Sequence, residues 1–188
     1  DIKLKKMNSF YDNRIVKKPW GYEYVVYRNK KKLCITLLKI NFNKSTSLHC
    51  HPKKKSGFML LEGKANFQLG LWKKKTEKHN SPSKRMIARG LFHSIRAVSK
   101  NGLTALEFET PVDKNDLVRF RDNYGRVQQS YESKNNLKKL DSPTLKFNLP
   151  KTGIRKYLIN NIQINIENHR DFKKLVKNDA NTIFAILD

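Results

Sequence analysis

Two histidines one residue apart, His49-Cys50-His51, and a third at His93 are the side chains of this chain best suited to chemistry. Imidazole is a common nitrogen donor to divalent transition metals. Three neutral rings turned to one side of a β-barrel make a three-point site with positions left open for water or substrate. If Leu48 to His51 is strand, period-two alternation turns both imidazoles to one face and Cys50 to the other. His93 ends Arg89-Gly90-Leu91-Phe92-His93, a glycine turn leading into the alternating run Ser94-Ile95-Arg96-Ala97-Val98. The trio reads as a site for zinc, manganese, iron or nickel. The plainer alternative is three polar residues that line a former metal pocket and are kept for hydrogen bonding.

Other groups gather around this expectation. Leu106-Glu107-Phe108-Glu109 reads as strand, which puts Glu107 and Glu109 on one face. Facing inward, they supply a carboxylate ligand or a general base; otherwise they form an ion pair with Arg96 or Arg119. Lys53, Lys55, Arg89 and Arg96 flank the expected pocket mouth, where cations would hold a phosphate through charge-assisted hydrogen bonds. Arg89 and Arg96 are the better candidates, because arginine is scarce here and pairs bidentately with phosphate. Lys53-Lys54-Lys55 reads more simply as a solvated loop run.

The elements that must position these residues are short strands. Tyr22 to Arg28, Leu33 to Asn41, Gly57 to Glu62, Ala65 to Trp72, Arg85 to Ala88, His93 to Val98 and Leu103 to Thr110 are β-rich runs separated by turn signals. Gly63 reads as a hairpin between two of them, and Asn101-Gly102 as a tight turn between the last two. The spacing predicts a mostly β chain, a small antiparallel barrel or jelly roll, with a small α+β C-terminal appendage. Residues 1–14 read as a polar N-terminal extension, 15–132 as the barrel, 133–150 as a linker and 151–188 as a cap or the start of a truncated domain. In that last segment Tyr157-Leu158-Ile159 reads as strand, Asp171 to Val176 as a short helix and Thr182 to Leu187 as a further strand.

Composition narrows the function classes. With 188 residues, 38% of them hydrophobic, the chain can bury one ordinary core. No apolar run approaches the roughly 20 residues that span a bilayer, and Asp1 to Arg14 lacks the apolar centre of a secretory signal. Two cysteines are too few for a disulfide framework, so a reducing cytoplasm is the default. The chain opens without methionine and stops at Ala185-Ile186-Leu187-Asp188, which reads as an excised piece. A net charge of +24 invites a nucleic-acid reading. Lysine dominates over arginine, however, and is scattered through apparent loops, so solvated loop charge is preferred.

Three stretches together carry a family likeness. Ser47-Leu48-His49-Cys50-His51, Leu61-Glu62-Gly63-Lys64-Ala65 and Arg89-Gly90-Leu91-Phe92-His93 resemble the two motifs of the cupin superfamily. Lys18-Pro19-Trp20-Gly21 and the run from Asp116 to Arg126 further resemble the flanks of the type II mannose-6-phosphate isomerase cupin domain. The likeness spans about Lys17 to Arg126. It implies a cupin barrel with a metal centre at the histidines, often dimeric, with a glutamate at the position of Glu107. The chain departs from the pattern where a metal-binding glutamate would follow the histidine pair. There it has Lys54-Lys55-Ser56-Gly57, with Ser56 at the carboxylate position; His49 replaces the family's Gln and Ala88 its Pro.

The resemblance makes the first expectation a metal-dependent isomerase or epimerase of a phosphorylated sugar or nucleotide sugar, serving surface-polysaccharide precursor synthesis as a homodimer. The second is a non-catalytic cupin binding the same ligand class, favoured by the loss at Ser56. The third is a charge-driven binder of nucleic acid or anionic surfaces. Asp116, Asp122, Arg119 and Arg126 are expected to form a salt-bridged turn. Trp20 and Tyr22 are expected to pack over the barrel end or to wall a sugar site.

Overall fold

The structure, a computed structural model, describes residues 11–29, 32–72, 74, 76–127, 137–139, 144–168 and 182–185. Fourteen strands and no helix are found among them. β1 (Arg14–Lys18), β2 (Gly21–Asn29), β3 (Leu33–Ile40), β5 (Lys55–Glu62), β8 (Ser83–Ile87), β10 (Leu103–Thr110) and β12 (Leu137–Lys139) form one sheet, in the order β12-β1-β2-β3-β10-β5-β8. β4 (Leu48–Cys50), β6 (Lys64–Leu69), β7 (Thr76–Asn80), β9 (His93–Ala97) and β11 (Val118–Arg121) form a second, ordered β11-β4-β9-β6-β7. β13 (Ile154–Ile159) and β14 (Ile162–Glu167) pair as a separate hairpin.

Alternation along each strand divides the apolar residues between two cores. Trp20, Leu38, Ile40, Phe58 and Leu60 of the large sheet side meet Ala65, Phe67, Leu69, Ile95 and Ala97 of the small sheet in the barrel interior. Phe67 has no exposed surface, and burying such a side chain contributes about 1.5–3 kcal/mol. Tyr24, Val26, Ile35, Leu37, Leu61 and Leu106 point the other way and are covered by Phe147 and Ile166. This explains why β3 is apolar almost throughout: both of its faces are buried. The result is a mostly β jelly roll, as the turn spacing predicts.

Several expectations change. Gly63 is not the turn of a hairpin: β5 and β6 lie in different sheets, and the chain crosses between them there. Asn101-Gly102 does make a tight turn, with Gly102 N donating to Ser99 O at 2.8 Å, but it too links the two sheets. The expected 133–150 linker contributes β12, paired with β1, and the buried Phe147, whose N–H donates to Val26 O at 2.9 Å. The expected 1–14 extension ends in the buried Tyr11 and the first residue of β1. The appendage is a β-hairpin over the described residues; the expected helix Asp171 to Val176 lies outside them. Thr182–Ala185 is in no strand, and the remainder of that expected strand is likewise outside. No helix among the described residues is long and apolar enough to cross a membrane.

Candidate metal centre

The trio is assembled by strand pairing. His49 on β4 stands opposite His93 on β9, and His51 follows two residues after His49. Ring centroids lie 4.5 Å apart for His49 and His93, 5.0 Å for His49 and His51, and 5.6 Å for His51 and His93. Each ring donates its Nδ1–H to a backbone carbonyl: His49 to Ser47 O at 2.8 Å, His51 to Asp116 O at 2.5 Å and His93 to Leu91 O at 3.0 Å. This fixes the tautomer and leaves every Nε2 with a lone pair for a ligand. His93 Nε2 is buried with no hydrogen-bond partner.

Electrostatics keeps the rings neutral. Burial lowers His49 well below 6.5, assisted by His93 and His51. Burial, with the Lys54 ammonium nearby, lowers His51 to about 4; burial, opposed by the bond to Leu91, leaves His93 at about 4. Neutral imidazole is the ligating form. One ligand atom from each of the three lies within 4.8 Å of the others. The donor set therefore fits a divalent metal ion, and the orphaned Nε2 of His93 is the observation that supports the fit.

Glu107 and Glu109 share the inward face of β10, and each can bring an oxygen within 4.8 Å of a ligand atom of His51. Their surroundings differ. Glu109 accepts from Lys54 Nζ at 2.5 Å and Lys114 Nζ at 2.6 Å, and all three side chains are almost fully buried. Burial alone would raise the Glu109 carboxyl; the Lys114 and Lys54 ammoniums hold it far below the usual carboxylate range. The ion pair weighed for this glutamate exists, but with two lysines rather than Arg96 or Arg119. The Glu107 carboxyl makes no hydrogen bond among the described residues, and burial, reinforced by the Glu109 charge, pushes it up to about 8. Ser56 is buried opposite Glu109 in the β5–β10 register, and its Oγ has no partner. The carboxylates thus stand one strand away from the position that Ser56 occupies.

Asp116 braces the centre twice. Its carbonyl accepts the hydrogen bond from His51 Nδ1–H, and its carboxylate accepts those from the backbone N–H groups of Lys53 at 2.9 Å and Lys54 at 2.7 Å. The Lys54 side chain turns inward to Glu109 and is only 2% exposed. Reading Lys53-Lys54-Lys55 as a surface run misses it.

A cavity of about 60 Å³ opens beside His49 and His93, walled by Trp20, Phe58, Glu23, Glu107, Arg119 and Arg126. The cations expected at its mouth are elsewhere. Lys53 and Arg89 are exposed and do not line it, and Arg96 faces the opposite side of the small sheet. The basic groups that do line it are Lys18, Arg119 and Arg126. Lys18 Nζ lies 3.4 Å from Glu23. Arg126 grips Asp122 through Nη2 at 2.8 Å and Nε at 3.1 Å, and its guanidinium sits 5.3 Å from the Tyr124 ring centroid. The Asp122–Arg126 half of the expected salt-bridged turn is present, and it also aims Arg126 at the cavity. Arg119 stands opposite His49 across the β4–β11 pairing, a neighbour that only long-range register reveals. Trp20 is buried in the cavity wall, whereas Tyr22 is 37% exposed.

No protein-family model matches the sequence, and no curated protein matches it either. Solved structures do resemble the fold. One is the capsular polysaccharide assembling protein CapF from Staphylococcus aureus, with a TM-score of 0.50 and 12% identity over 57% of this chain and 34% of that one. The chain has the cupin fold. Oxalate decarboxylase from Lactobacillus farciminis aligns at a TM-score of 0.49 and 16% identity, over 56% of this chain and 33% of that one. A conserved protein from Klebsiella pneumoniae with a double-stranded β-helix domain aligns at 0.44 and 12%, over 47% and 75%. The chain thus spans about a third of the length of the first two proteins.

Proposed function

We propose that this cupin is a metal-dependent isomerase or epimerase of a phosphorylated sugar or nucleotide sugar, of the mannose-6-phosphate isomerase type. The observation that carries the reading is the cluster of three neutral imidazoles, two of which, His49 and His93, line a cavity that also holds the unpaired carboxyl of Glu107. His49, His51 and His93 would hold the ion. When bound, it would supply Lewis acidity at the substrate's carbonyl and hydroxyl oxygens.

Glu107 is placed to take the proton from the carbon beside the carbonyl and return it to the neighbouring carbon. Its raised pKa suits both halves of that transfer, because a base tuned near the working pH can also give the proton back. Glu109, fixed by two lysines, is a positioning residue whose charge raises Glu107. Arg119, Arg126 and Lys18 are the cations placed to meet the substrate's anionic group. The cavity admits the reacting end of a sugar, and the remainder would lie at its mouth. Fold likeness to CapF is in keeping with a setting in surface-polysaccharide synthesis, which the sequence resemblance suggests.

The test is interconversion of mannose 6-phosphate and fructose 6-phosphate by metal-loaded protein. Turnover that falls by about a hundredfold or more in Glu107→Gln, with metal content unchanged, supports the reading. Undiminished turnover by metal-free His51→Ala overturns it. The second reading, a non-catalytic sugar-binding cupin, is favoured by Ser56 and by the engagement of Glu109 with Lys54 and Lys114. It predicts a ligand that saturates in calorimetry and is recovered unchanged.

A further inference from the structure

The outer faces of the two sheets are treated differently. That of the large sheet is apolar and lies under Phe147 and Ile166. That of the small sheet is polar and holds a groove of about 370 Å³, six times the cavity at the histidines and within the size range of small-molecule sites. Among the described residues no acidic side chain lines it.

The groove is built by register. Asn66 on β6 stands beside Arg96 on β9, and Gln68 lies between Ser94 on β9 and Thr76 on β7. Leu48 on β4 pairs with Arg121 on β11. A bulge between Arg119 and Arg121 lets the first stand opposite His49 and line the inner cavity, while the second stands opposite Leu48 and lines the groove. The side chains of Arg121 and Asn66 make no hydrogen bond or ion pair among the described residues. Arg96 has only a 3.4 Å contact to Asn43 Oδ1. Gln68 gives its amide N–H to Gly70 O and Leu71 O, which leaves its oxygen as an acceptor. The groove therefore presents two guanidiniums, three amides (Asn66, Gln68 and Asn123) and several hydroxyls.

We infer that this groove is a second binding site, for a sugar bearing an anionic group. Guanidinium forks match phosphate or carboxylate, and the amides and hydroxyls match ring hydroxyls in both donor and acceptor sense. Among the described residues neither guanidinium is paired with an acid, so an incoming anion competes with no carboxylate there. The site backs onto the histidine centre through β4 and β9 but shares none of its histidines, carboxylates or cations, and it stands independently of the isomerase reading.

Calorimetry and side-chain NMR on the His51→Ala protein, at about 150 mM salt to screen diffuse charge, test this with four probes: glucose 6-phosphate, glucuronate, glucose and inorganic phosphate. The expected result is saturable binding of at least one anionic sugar, at least about tenfold tighter than glucose or phosphate, with shifts at Asn66 and Gln68. Which anionic sugar binds tells phosphate from carboxylate. Arg96→Ala/Arg121→Ala should weaken binding at least about tenfold. The charge-matched control Lys84→Ala/Lys156→Ala should not, and Arg96→Lys/Arg121→Lys should restore charge without restoring affinity. Equal binding of inorganic phosphate, equal loss in the lysine control, or no saturation by any probe overturns the inference. Binding retained in His51→Ala separates its fate from that of the metal site.

Discussion

At the scale of single residues, Glu109 meets two ammoniums, those of Lys54 and Lys114, in a region almost free of solvent. A buried charge deprived of its partner costs about 3–5 kcal/mol, more than the intact pair contributes over an apolar substitute. Glu109→Gln is therefore expected to lower unfolding free energy by about 3–5 kcal/mol in chemical denaturation. A loss within experimental error would show the lysines to be solvated. The histidines give a pH signature. Their folded pKa values lie below the unfolded 6.5, with His51 and His93 at about 4. Between 6.5 and about 4 the unfolded chain binds protons that the folded one refuses. The stability of metal-free protein should fall as pH drops through this window, and more shallowly in His51→Gln; identical slopes would contradict the neutral-ring account. Alternation alone made legible the common face of His49 and His51, the turned-away Cys50 and the inward pair Glu107 and Glu109. It did not reveal Lys54, because what draws that side chain inside is Glu109, 55 residues away.

At the scale of elements, the two sheets are joined where the backbone of one crossover touches the other. Gly63 has φ of +88°, and a Cβ there would lie 2.2 Å from Gly102 O; Gly102, at +77°, would bring one to 2.4 Å from Ile40 O. Gly90 has a similar φ of +71° but open space around it. Gly90→Ala should therefore cost only the left-handed strain, about 1–2 kcal/mol. Gly63→Ala should cost clearly more, read as a larger drop in melting temperature. Equal losses would mean that the corner yields. Apolar alternation made the central strands legible. It was silent on β7, Thr-Glu-Lys-His-Asn, an edge strand with little apolar face. Gly63 was misread because a glycine between two β runs looks the same in sequence whether the chain returns along its own sheet or crosses to the other. Only long-range pairing decides.

At the scale of the whole molecule, the net charge of +24 is a term in stability and in recognition alike. Self-repulsion opposes the compact state, so the melting temperature should rise as salt goes from about 10 mM to about 100 mM and the Debye length falls from about 30 Å to about 10 Å. A flat response would mean that the lysines are too dispersed to repel. The charge is spent unevenly: Lys54 and Lys114 inside, Lys18, Arg119 and Arg126 on the inner cavity, Arg96 and Arg121 on the outer groove. The jelly roll brings these groups together from distant stretches of chain around the three imidazoles. Titration of metal-free protein with cobalt(II), followed by visible absorption, examines that centre most directly. The account predicts one equivalent bound with the absorption of a nitrogen-ligated ion, and loss of the signal in His49→Ala, His51→Ala and His93→Ala alike. Cobalt that does not bind, or that binds with the same spectrum in all three variants, would contradict it.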